Sequence, residues 1–225
     1  MTDCLYSNYP VFLAFLSGML ACRLPFAGRF FRVLNTMMHE SGHALIALLT
    51  SGEVKSVELA SDASGTAKTS SKNFISRVLT IIAGYSYASF FSFFTVWLLM
   101  HFGYTPVLYV FISFALVNLM LWVRNTFGIV WIILFLALCG SVWLYLSAYV
   151  VYLAWFFCGI LWFESLFTCF ILLRESFRNP AKAGDAAALK EVLFLPAAVW
   201  AILFTVFALW MNYLAVMNLP CLYRV

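Results

Sequence analysis

Five stretches of this chain, residues 74–101, 106–123, 127–148, 150–173 and 193–217, are apolar on every face. Each is long enough to cross a hydrocarbon layer of ~30 Å. A helix of a soluble domain carries one apolar stripe and one polar face, so these segments cannot belong to such a domain. In lipid every backbone polar group must be satisfied within the protein, which leaves helices or closed barrels. The alternation that a barrel strand requires is absent. The chain is therefore expected to be an all-α polytopic membrane protein. With only 10% charged residues and a mean hydropathy of +0.98, nothing is left over for a soluble domain. Residues 1–225 read as a single integral-membrane domain. Two further apolar runs, 9–22 and 29–50, bring the expected count to six or seven transmembrane helices. The run 9–22 is short and ends at Arg23-Leu24-Pro25, so it either spans with help from its flanks or rests in the interface.

Three polar stretches separate the apolar ones. In 51–73, Val54–Leu59 reads as a strand, Asp62–Gly65 as a turn and Thr66–Thr69 as the returning strand, a short β-hairpin. Trp122–Thr126 reads as a tight turn with Arg124 as an interfacial anchor, and Arg77 has the same role. In 174–192, Asn179-Pro180 ends one helix and Gly184-Asp185 begins another. The reversal between 127–148 and 150–173 is expected near Gly140 or near Ser147-Ala148. With seven crossings, the three polar stretches share a side with the N-terminus. That side holds nine of the 13 Lys and Arg; Arg23, Arg29, Arg32 and Arg224 fall opposite. The positive-inside tendency then turns the nine toward the cytoplasm. The net charge of +4 suits anionic headgroups of the lipid bilayer and no nucleic-acid role is read from it. The six cysteines, Cys4, Cys22, Cys139, Cys158, Cys169 and Cys221, form no CxxC pair, and Cys139, Cys158 and Cys169, inside apolar runs, read as small hydrophobes. The first residues lack the positive region of a cleaved signal.

Against this background one cluster is out of place. His39-Glu40-Ser41-Gly42-His43 sets a His-Glu-x-x-His pattern in an otherwise apolar run, and it contains two of the chain's three histidines. On a helix His39 and His43 lie one turn apart, so both imidazoles reach one ion. Glu40 lies beside them as general base for a water. Ionisable groups inside a membrane segment are costly, which makes function the default explanation. A hydrolytic zinc site needs a third protein ligand. Asp185, Glu164, Asp62 and His101 are the candidates. His43 lies several residues inside its helix, about 10 Å from the end. Glu164 lies at a comparable depth in its own segment, whereas Asp185 requires its loop to dip back inward; depth alone favours Glu164.

The run Leu34–Thr50 resembles the catalytic helix of the site-2 protease-like zinc metallopeptidases, closest to the peptidase M50B-like branch. The similarity continues through Gly52-Glu53-Val54, Ser64-Gly65-Thr66, Ala83-Gly84-Tyr85 and Arg124–Gly128, and ends with Gly184-Asp185-Ala186 and the stretch from Pro196 to Trp200. The resemblance implies that His39 and His43 bind Zn2+, that Glu40 is the general base, and that an aspartate before the last helix, here Asp185, is the third ligand. The aspartate is followed by Ala186, where better-studied relatives carry glycine. The implied activity is cleavage of membrane-embedded protein substrates in a bacterial inner membrane; the Lys and Arg distribution, not the resemblance, turns the site toward the cytoplasm. The hairpin at 54–69 is then a candidate to pair with an unwound substrate by strand addition. The competing expectation is a non-proteolytic zinc-binding membrane protein: a pseudoprotease, a substrate binder or a transporter. Asn118 and Asn125 read first as helix–helix hydrogen-bonding groups and second as oxyanion donors. Gly84 reads first as a point of close helix approach. Substrate identity and oligomeric state are not legible.

Overall fold

The computed structural model describes the backbone of residues 2–219 and the side chains of 9–219. Cys221 and Arg224, and the side chain of Cys4, lie outside the described residues. The elements are α1 (Thr2–Ala21), α2 (Ala27–Leu49), β1 (Glu53–Leu59), β2 (Gly65–Ser70), α3 (Phe74–Phe102) and α4 (Tyr104–Val117). They continue with α5 (Thr126–Tyr145), α6 (Val150–Arg178), α7 (Gly184–Leu193) and α8 (Ala197–Met217). Five helices, α3, α4 with its π-helical extension Asn118–Trp122, α5, α6 and α8, are long and apolar enough to cross a membrane. α2 is equally long at 23 residues but carries polar groups. The expected helical membrane fold with one hairpin is what the chain adopts. α5 runs unbroken through Gly140, and the reversal falls at Leu146–Tyr149, the second of the two expected places. α6 stops at Arg178, before Asn179-Pro180, and α7 opens at Gly184, as the breaker residues predict.

The path of the first segment departs from expectation. α1 packs along α6, and their contacts climb together. Phe12 meets Trp155, Phe15 lies against Gly159, Gly18 lies against Phe156 and Ile160, and Arg23 pairs with Glu164. The two helices are therefore parallel. α2 also ascends beside α6, from the Phe31–Phe156 ring contact to a cavity that Thr36, His39 and Thr168 share. Two consecutive helices with the same direction cannot be successive crossings. The chain is interrupted between α1 and α2 at Arg23–Phe26, where Phe26 takes φ +62° and Gly28 N–H bonds back to the Leu24 carbonyl. Five candidate spans and the short apolar helix Tyr9–Ala21 agree with the expected six to seven helices. The N-terminal end of α1 then lies at the Val150 end of α6, opposite the polar stretches rather than beside them.

The hairpin does not stay at the surface. Gly52 N–H bonds the Ala47 carbonyl, and at the far end the Thr36 hydroxyl donates to the Ala63 carbonyl at 2.7 Å. Eleven helical residues separate Ala47 from Thr36, so the hairpin folds back about 17 Å along α2. β1 and β2 pair antiparallel from Glu53↔Ser70 to Leu59↔Gly65. Val57 and Leu59 are fully buried. An open strand edge inside a helical membrane protein needs partners. β1 finds them in the segment after α4: Val123 bridges Val57, and the Asn125 carboxamide accepts from Leu59 N–H at 3.1 Å and donates to its carbonyl at 2.6 Å. Asn125 thus ties a helix start to a strand rather than to another helix. Arg124 donates to the carbonyls of Leu121 and Val123, closing the end of the π-helical turn. The outer edge of β2 pairs with no strand among the described residues.

Candidate metal centre

α2 is held in a fixed rotation by its two flanks. On one side the Ser41 hydroxyl bonds the Met37 carbonyl and the Asn118 Oδ1 on α4's extension, at 2.6 and 3.0 Å. Asn118 also donates to the Phe114 carbonyl, so it is a helix–helix tie, as first expected, and is not among the cavity-lining residues. On the other side Gly42 rests on α3, where a Cβ would stand 2.6 Å from Tyr87 Cβ. This rotation turns His39 and His43 toward α3 at Gly84. A Cβ on Gly84 would strike both imidazoles. The close approach foreseen at Gly84 is therefore made by the two rings.

The imidazole Nε2 atoms stand 3.1 Å apart, and each is 3.4 Å from Asp185 Oδ2. His43 Nδ1 lies 2.7 Å from the Thr80 carbonyl, so Nδ1 donates a proton there and Nε2 is the nitrogen that faces His39 and Asp185. Asp185 Oδ2 is buried and has no hydrogen-bond partner. Ligands held 2.0–2.2 Å from a tetrahedral zinc are roughly 3.3–3.5 Å from one another. Three converging lone-pair atoms at about that spacing, one of them an orphaned carboxylate oxygen, fit a metal ion. Among the described residues these three alone form such a group. Asp185 reaches the site because α7 begins there: Gly184 takes φ +42° and Asp185 occupies the first turn, where the helix dipole favours a negative charge.

The other ligand candidates lie elsewhere. Glu164 is buried on α6 and pairs with Arg23 at the α1–α2 break. Depth places Glu164 along the helix axis but not around it, and its face of α6 turns toward Arg23. Asp62 sits at the hairpin tip and accepts from Ser64 N–H and hydroxyl at 2.9 and 2.6 Å; those bonds hold its carboxyl below the usual range. His101 stacks on Trp97 at the end of α3.

A cavity of about 440 Å3 opens over the triad. Glu40 lines it, is buried, and faces the Ala67 amide of β2. A Cβ on Gly65 would stand 2.7 Å from the Glu40 carboxylate, so only glycine lets β2 come this close. Tyr85 packs against the His39 ring at 4.5 Å and completes the wall opposite β2. Asn35, Thr80, Tyr85 and Thr168 also line the cavity, and sequence reasoning gave them no role. Asn35 was open to detection, because it lies one turn before His39 on the same face.

The family model described as Peptidase M50B-like matches residues 12–215. No curated protein and no solved structure matches the chain.

Proposed function

This chain belongs to the Peptidase M50B-like family, and from that premise we propose that it is an intramembrane zinc metalloprotease that cuts membrane-anchored proteins. The observation that carries the reading is the convergence of His39, His43 and Asp185 on one point of a cavity that Glu40 also lines. Three protein ligands suit hydrolysis, which needs an open fourth position; a structural zinc site takes four. Zinc held there supplies a Lewis acid for the scissile carbonyl and lowers the pKa of water.

The chain's own residues do the rest. Thr80 fixes the His43 ring through its carbonyl. Glu40 takes the proton of the attacking water onto its carboxylate and returns it to the leaving amine nitrogen. The unpaired outer edge of β2, within reach of Glu40, binds the unwound substrate as an added strand. The nine Lys and Arg on the hairpin side favour a cytoplasmic opening in a bacterial inner membrane.

The test pairs Glu40→Gln with His43→Ala. Glu40→Gln retains zinc and loses roughly 10²–10⁴-fold in peptide hydrolysis. His43→Ala loses both. Substrates trapped by the Glu40→Gln form and identified by mass spectrometry name the target. Full activity in Glu40→Gln, or purified protein without stoichiometric metal, ends the proposal and leaves a non-proteolytic membrane protein.

A further inference from the structure

We propose that Asn35 is a positioning residue whose carboxamide hydrogen-bonds the backbone of the substrate's unwound segment; this rests on the protease reading above. Asn35 lies one turn before His39 on α2, about 6 Å along the axis, and lines the same cavity. It is only 4% exposed, yet its Oδ1 is buried without a hydrogen-bond partner, and its carboxamide bonds no described residue. The other carboxamides near the membrane core each hold at least one end in a hydrogen bond, although the Asn212 Oδ1 is also buried without a partner. Asn118 is tied to Ser41 and to the Phe114 carbonyl, and Asn212 donates to Ser165 and to the Ala208 carbonyl. Those are helix ties, while Asn35 joins no helix to another. An apolar residue of the same size would pack better there if packing were the requirement.

The neighbouring geometry says what the carboxamide faces. Thr36, next in sequence, holds the hairpin tip through the Ala63 carbonyl, so Asn35 sits where β2 begins. The outer edge of β2 lines the cavity and pairs with no other strand among the described residues. A strand added to that edge brings a second row of backbone N–H and C=O groups into the space that Asn35 borders. The fold already contains this recognition once: on the opposite edge of the hairpin, Asn125 grips the N–H and C=O of Leu59 with its two carboxamide ends. A carboxamide offers one donor end and one acceptor end, which match one residue of extended backbone whatever its side chain. Asn35 thereby contributes to binding of the main chain and not to side-chain preference.

The test uses two zinc-directed probes on the full-length, metal-loaded protein in detergent: acetohydroxamate, and a tetrapeptidyl hydroxamate that adds a peptide backbone to the same chelating group. Asn35→Ala weakens the tetrapeptidyl probe about tenfold, the worth of one hydrogen bond. It leaves acetohydroxamate and the zinc content unchanged. Replacing the internal amides of the probe by esters, one at a time, identifies one position whose loss weakens wild-type binding and costs nothing further in Asn35→Ala. If Asn35→Ala does not fold, Asn35→Ser carries the same comparison. Equal effects on both probes, no effect on either, or ester effects that all add to the substitution overturn the proposal. Acetohydroxamate that fails to bind the metal-loaded wild type ends the protease reading itself.

Discussion

Asp185, half-buried at the cavity, and Glu164, buried on α6, are both carboxylates in an apolar protein, yet their charges are balanced in different ways. Glu164 is paired with the Arg23 guanidinium, which also lies over the rings of Phe163 and Phe167 at 4.9 and 4.0 Å from their centroids. That cluster carries its own cation and is complete as folded. Asp185 faces two imidazoles whose Nε2 atoms present lone pairs, and its Oδ2 has no partner. That cluster is complete only when a cation arrives. A buried charge that finds no counter-charge in its own chain marks the place where the protein expects something from outside.

Removing each carboxylate breaks the comparison most directly. Asp185→Ala lowers zinc affinity by more than ~100-fold, beyond what loss of an outer-shell group costs. It abolishes hydrolysis and leaves the metal-free protein as stable as before. Metal analysis after dialysis against a graded chelator reads the first, and thermal unfolding with excess chelator reads the last. Glu164→Ala retains zinc in the same dialysis. If the two substitutions lost metal alike, the distinction between the clusters would be wrong. Gly84→Ala gives a smaller effect. Its methyl pushes against both imidazoles, so zinc affinity falls about tenfold, comparable to an outer-shell defect. Chelator-free and chelator-treated melting curves move closer together by the corresponding amount. An unaltered zinc affinity would mean that the rings have room to retreat.

The same contrast explains what was legible beforehand. His39 and His43 were readable because helix periodicity alone brings i and i+4 together. The hairpin was readable from its turn residues. Its descent along α2 was not, because that depends on the Thr36–Ala63 bond between segments 27 residues apart. Asp185 could not be chosen over Glu164 by depth, since depth fixes position along a helix and not the face. The decisive partner of Glu164 is 141 residues away, at the end of a segment whose crossing the sequence left open. The direction of α1 was hidden for a related reason. Apolar composition reports that a segment is buried but not which way it runs, and Arg23-Leu24-Pro25 is compatible with either a return or an interruption. Arg23, Arg29 and Arg32 grouped so near one another were the available signal that this turn is not an ordinary one.

A stability effect, without any loss of metal, sharpens the comparison from the side of the completed cluster. Glu164→Ala strands the Arg23 charge. Removing one member of a fully buried pair costs 3–5 kcal/mol. The Arg23 side chain is 35% exposed and can lean outward over its two phenylalanines, so the cost here is about 2 kcal/mol. Replacing both members, Arg23→Met with Glu164→Leu, removes the charge and its desolvation together and recovers most of that loss. Equilibrium unfolding in mixed detergent micelles reads the three stabilities, and zinc content stays at the wild-type level throughout. A double substitution as damaging as Glu164→Ala would mean that the ion pair is needed to hold the α1–α2 break in position, and that both carboxylates, not one, serve the shape of the metal cavity.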